Sequence, residues 1–100
     1  MNEKIPSKIK VGGITYNIEV TEPNNFTILG DYFGEINYKE QKIRVANRLA
    51  LDVMHRTLWH EIIHAIYDNL GFSNHDEQKI DMLAGALYAL VVDNPDMFKE

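Results

Sequence analysis

The sequence predicts an α+β fold: a small antiparallel or mixed sheet, built from two hairpins, packed on a pair of helices. Three observations carry that prediction. Residues 8–21 alternate apolar and polar side chains around Gly12-Gly13, and the stretch from Ile36 to Val45 alternates again. From Leu51 onward the apolar period lengthens to that of a helix. The helical pattern breaks once, at Leu70-Gly71. A chain of 100 residues is the size of one domain, residues 1–100, and 45% apolar residues suffice for one modest core.

In the first hairpin, Ile9 and Val11 alternate with Lys8 and Lys10, and Ile14, Tyr16, Ile18 and Val20 alternate with Thr15, Asn17, Glu19 and Thr21. A glycine pair between two such runs signals a tight turn. With Gly12-Gly13 as that turn, Val11 faces Ile14 and Ile9 faces Tyr16, so both strands turn their apolar sides to one face. Glu22-Pro23-Asn24-Asn25 reads as a turn or loop. Phe26 to Leu29 reads as a short extended piece, which Gly30-Asp31 breaks. In the second hairpin a connection centred on Glu40-Gln41 pairs Tyr38 with Ile43 and Ile36 with Val45. Glu40-Gln41 is poor chemistry for a tight primed turn, which points to a somewhat longer loop.

The first helix is expected to start between Asn47 and Asp52 and to stop at Leu70-Gly71, where glycine supplies the left-handed terminus. Ser73 and Asn74 are the capping candidates of the short connection that follows. The second helix reads from Asp76 to about Val92. Ile80, Leu83, Ala84, Leu87, Leu90 and Val91 form the stripe of a buried face. Asn94-Pro95 ends it.

The first helix carries His60-Glu61-Ile62-Ile63-His64, an HExxH sequence. Residues four apart lie on one helix face, so His60 and His64 present two imidazoles at the spacing a single zinc ion needs. Glu61 is rotated about 100° from His60. It is badly placed as a third ligand and well placed as a general base acting on a metal-bound water. Leu58, Trp59, Ile62, Ile63, Ala65 and Ile66 wall the pair with apolar groups. Burying these polar side chains there without partners is costly, and a metal satisfies them.

The third ligand is sought on the second helix. Glu77 lies three residues before Ile80 and seven before Ala84, so it continues the stripe expected to be buried. Asp81, one turn on, is placed to orient a ligand histidine through its unmetallated nitrogen. His75 is the rival ligand. Asp76 is read as an acid favouring the positive end of the helix dipole. Tyr67 follows His64 by one turn and either lines a cleft or packs in the core. His55, rotated off the ligand face, reads as a surface histidine. Tyr32, Tyr38 and Tyr88 are each candidates to donate a hydrogen bond to a reaction intermediate.

Composition narrows the function further. The net charge of −5 without a basic run argues against a nucleic-acid partner. With no cysteine, disulfides, thiolate zinc sites and a cysteine nucleophile are excluded. The polar start, Met1 to Pro6, lacks the apolar core of a signal peptide, and no run approaches the roughly 20 apolar residues of a membrane span. A cytoplasmic protein, without a membrane partner, is the expectation.

The stretch from Thr57 to Ile66 resembles the active-site helix of small zincin metallopeptidases. Glu77-Gln78-Lys79-Ile80-Asp81-Met82-Leu83-Ala84 resembles the ExxxxxxA helix of the gluzincin branch, whose glutamate is the third zinc ligand. The chain is also similar to short HExxH proteins of bacteriophages and prophages, themselves like ImmA/IrrE-type and minimal gluzincin peptidases. The likeness spans about Phe33 to Pro95. It departs from the ImmA/IrrE type in having only a short tail after the glutamate helix, and Ile80 to Ala84 replaces that group's ANxFA-like signature.

The resemblance implies a zincin-like fold with His60, His64 and Glu77 as Zn2+ ligands and Glu61 as general base. It implies a zinc-dependent metallopeptidase, phage or prophage encoded, acting on a peptide or protein substrate in the cytoplasm. An extended peptide is expected to lie along a sheet edge. The competing expectation is a catalytically silent zinc-containing protein that binds a host or phage protein. A purely structural zinc is the weaker third, because closed sites use four protein ligands and usually thiolates.

Overall fold

A computed structural model describes residues 5–27 and 33–98. Strands β1 (Lys8–Val11), β2 (Ile14–Thr21), β3 (Gly34–Asn37) and β4 (Lys42–Ala46) precede helices α1 (Leu51–Asn69) and α2 (Glu77–Asp93). The four strands form one mixed sheet in the order β1-β2-β4-β3. The coarse class is therefore α+β, with two helices on a mixed sheet.

The first hairpin has the expected register, with Val11 opposite Ile14 and Ile9 opposite Tyr16. Gly12 and Gly13 both adopt positive φ, +56° and +86°, as a turn of this hand requires. The second hairpin departs from expectation. Ile36 pairs with Ile43 and Gly34 with Val45, a shift of two residues. The cause is the turn: Tyr38 to Gln41 make a four-residue connection in which only Gln41 takes positive φ, +53°. The Asn37 side chain accepts the Glu40 N–H at 3.0 Å and stabilises it. A two-residue shift preserves the faces, so Ile36, Ile43 and Val45 still point to the core. It also frees Tyr38 from the ladder. The hairpins join through a parallel pairing of β2 with β4.

Segment 22–27 begins with a 3-10 turn, Pro23–Asn25. Of the piece expected to be extended, Phe26 and Thr27 belong to no strand, and the rest lies outside the described residues, as do Gly30-Asp31 and Tyr32. Thr27 donates its backbone N–H to both carboxylate oxygens of Glu35, at 2.9 and 3.0 Å. Glu35 is fully buried on the outer face of the sheet and pairs with Arg44 Nη1 at 2.8 Å. Arg44 also reaches Glu19 and Glu40.

Helix α1 is covered on two sides. Leu58, Ile62 and Ala65 pack on Tyr16, Ile36, Ile43 and Val45 of the sheet. Ile63 meets Ile80 and Ala84 of α2, with Trp59, Ile66, Tyr67 and Leu87 around them. Leu83 and Leu90, expected in that buried face, are 42% and 45% exposed. Helix α1 already has the sheet on its opposite side, so it offers α2 only a narrow strip. No helix among the described residues is long and apolar enough to cross a membrane.

The α1 terminus fixes where α2 begins. Gly71 at φ +90° lets its own N–H reach Asp68 O and the Phe72 N–H reach Tyr67 O, both at 3.0 Å, the two bonds of a Schellman stop. The ring of Phe72 lies 5.5 Å from that of Tyr67 and completes it. The cap of α2 is Asp76, whose carboxylate accepts from the Gln78 and Lys79 N–H groups; Ser73 and Asn74 do not cap it. This places Glu77 at the first position of the helix.

Candidate metal centre

Helices α1 and α2 run antiparallel, and one side of α2 faces the histidines of α1. Glu77 meets His60 and His64, Asp81 meets His60, and Tyr88 stacks on His55 with ring centroids 5.8 Å apart. Glu77 Oε1 lies 3.0 Å from His60 Nε2, and Glu77 Oε2 lies 3.2 Å from His64 Nε2. These are the three residues the spacing argument selects, and their ligating atoms all lie within 4.8 Å of one another.

The donor set fits a zinc ion. Donors held at about 2.0–2.1 Å from zinc and at tetrahedral angles are about 3.3 Å apart. The nitrogen-to-oxygen separations of 3.0 and 3.2 Å agree with this. Proton placement agrees as well. His60 Nδ1 is 3.4 Å from Asp81 Oδ1, so with an ion on Nε2 the ring proton would sit on Nδ1 and be donated to that carboxylate. The Nε2 atom is then the one turned toward the Glu77 carboxylate, where an ion would be shared between them. Burial lowers the pKa of His64 despite the opposing pull of Glu77, which favours the neutral, ligating form. Glu77 differs from expectation in one respect. Its side chain is 67% exposed, against 23% and 12% for His60 and His64, so the group opens to solvent on the α2 side. The first turn of α2 overhangs the end of the interhelical core, beyond Ile80.

Comparison with family models, curated proteins and solved structures gives no match.

Glu61 is 4% exposed and turns from the histidines toward β3. Gly34 lies beside it and makes room for Thr57. A Cβ at Gly34 would stand 2.5 Å from Thr57 Cγ2, 3.0 Å from the Arg44 carbonyl and 3.4 Å from Glu61 Oε2. The strand therefore approaches α1 as closely as a glycine permits, with Glu61 beside it. The motif does not disclose this partner. A glycine entering a strand was the available signal.

Two clefts meet at His60 and Glu61. One, of about 300 Å³, is lined by Phe33, Gly34, Arg56, Thr57 and Asp81 among others. The other, of about 500 Å³, includes Ile36, Tyr38, His64, Asp68, Phe72 and Glu77. Of the three tyrosine candidates, Tyr38 lines this second cleft, and its hydroxyl donates to the His64 carbonyl at 3.4 Å. Burial, then the charge of Asp68, raises its pKa far above the ordinary tyrosine range, so it stays a donor. Tyr88 packs on His55 instead, which is half-buried between the helices rather than a surface residue. His75, the rival ligand, stands behind His64 and outside the three-residue group. Tyr67 packs edge-on to His75 and against Phe72.

Proposed function

We propose that this chain is a zinc-dependent peptidase of the zincin kind, in which His60, His64 and Glu77 hold the ion and Glu61 is the general base. The observation that carries the reading is the convergence of both histidine Nε2 atoms on one Glu77 carboxylate, with a buried Glu61 beside them. The resemblance of the Thr57–Ile66 stretch to zincin active-site helices supports the same reading. When bound, zinc would lower the pKa of a water toward neutrality and polarise a carbonyl.

The chain's own groups do the rest. Glu61, buried and set off from the ligand face, accepts the proton of the attacking water and passes it to the leaving nitrogen. Tyr38, kept protonated at the cleft wall, gives up its long bond to the His64 carbonyl and donates to the substrate oxygen as it gains charge. The two clefts give an extended substrate room on both sides of the reacting bond. Three protein ligands facing solvent match a catalytic site better than a closed structural one.

The test uses wild type, Glu61→Gln and wild type with chelator, each incubated with a peptide library and read by mass spectrometry for new termini. Glu61→Gln keeps zinc but loses most of a general-base contribution of about 10²–10⁴-fold. Cleavage by wild type alone supports the reading. No cleavage by any sample, with a protein partner held equally by wild type and Glu61→Gln, would replace it with a zinc-containing binder.

A further inference from the structure

We propose that His75 is a positioning residue: it fixes His64 as the Nδ1–H tautomer, and so aims the His64 Nε2 lone pair at the ion. This rests on the metal site proposed above. His75 Nε2 lies 2.9 Å from the Phe72 carbonyl oxygen. A carbonyl only accepts, so that nitrogen carries the proton of His75. The other nitrogen, Nδ1, is then an acceptor. It lies 2.8 Å from His64 Nδ1, a distance that needs one proton between the two atoms.

With an ion on His64 Nε2, that proton belongs to His64. Its Nε2 is left unprotonated, facing Glu77 at 3.2 Å. The opposite assignment places an unprotonated His75 Nε2 against a carbonyl oxygen, and the His64 Nε2–H bond to Glu77 that it gains is the one a bound ion displaces. Ring geometry agrees. The two imidazoles have centroids 5.1 Å apart and planes only 19° apart, as when rings meet edge to edge through their nitrogens. Tyr67, with its centroid 5.4 Å away and its plane inclined 67°, braces the His75 ring from the side.

The relay begins at the end of α1. The Schellman stop at Gly71 fixes Phe72 by its N–H bond to Tyr67, and thus holds the carbonyl that sets His75. Each ligand histidine is therefore oriented from a different place: His60 by Asp81 of α2, and His64 by the interhelical connection. The arrangement uses an imidazole where a carboxylate or carbonyl is usual.

The experiment compares wild type with His75→Phe, which keeps a ring but no acceptor, and His75→Asn, which restores an oxygen acceptor near the Nδ1 position. Zinc affinity is measured by titrating Zn2+ alone against a chelating dye. The His64 tautomer is read in metal-free protein by long-range 15N NMR. Wild type shows His64 as Nδ1–H. His75→Phe binds zinc about 10–100-fold more weakly and shifts His64 toward Nε2–H, and His75→Asn recovers most of the affinity. Unchanged affinity in His75→Phe, no rescue by His75→Asn, or Nε2–H as the wild-type form of His64 would overturn the proposal. Should His75→Phe fail to fold, the wild-type tautomer and the His75→Asn affinity decide it. Should wild type bind no zinc, the metal reading fails, while the tautomer of His64 still tests the relay.

Discussion

Glu77 Oε1 stands 3.0 Å from His60 Nε2 although the two residues are 17 apart in sequence and on different helices. The contact depends on the Gly71 stop and the Asp76 cap, which together bring the first turn of α2 over the histidine face of α1. A metal held there ties the two helices together. Stability and metal binding are therefore linked.

The first prediction separates Glu77 from its neighbour. At about a hundredfold excess of free zinc over its Kd, binding should stabilise wild type by about 2.7 kcal/mol. Glu77→Ala should lose most of that increment. Asp76→Ala removes a helix cap instead, and should cost about 1 kcal/mol equally with and without zinc. Thermal melts with zinc and with chelator measure both, and an equal loss of the zinc increment from the two variants would reduce Glu77 to a helix-end charge.

Gly34→Ala should disturb the base while sparing the ligands. Its new methyl group collides with Thr57 and closes on the Arg44 carbonyl, so β3 must shift beside Glu61. Overpacking of this kind costs about 1–3 kcal/mol. Urea unfolding should register that loss, zinc content should stay at the wild-type level, and kcat should fall.

Tyr38→Phe removes one hydroxyl from the cleft wall. If that hydroxyl steadies the oxyanion, kcat should fall by about 10²-fold with little change in KM. An unchanged kcat would assign Tyr38 only its bond to the His64 carbonyl.

The outer face of the sheet offers a test independent of the site. Arg44→Met leaves Glu35 buried without its cation, which should cost about 3–5 kcal/mol in urea unfolding. Adding Glu35→Leu should recover much of the loss, because an apolar pair of similar volume needs no compensation.

Local signals in the sequence carry a good part of this architecture. The Gly12-Gly13 hairpin was legible because strict alternation meets a turn that only glycine-like residues close easily. The approach of His60, His64 and Glu77 was legible because helix periodicity and the Gly71 stop act over short spans. The parallel pairing of β2 with β4 was not, since it joins residues about 25 apart without a local signature. The register of the second hairpin slipped by two because Asn37 and Gln41 set the turn, not the apolar rows. Leu83 and Leu90 look like core in a periodicity argument, yet α1 has no free side left for them. The roles of Gly34 and His75 depend on through-space neighbours that no spacing rule supplies.

The central claim is that His60, His64 and Glu77 hold one zinc ion with a position left for water. X-ray absorption at the zinc edge, on wild type loaded with one equivalent and then dialysed, tests it most directly. The account predicts one ion retained per chain, bound by two imidazoles, one carboxylate and one light atom not from the protein. Loss of the ion on dialysis, or an ion with no imidazole in its coordination shell, would contradict it.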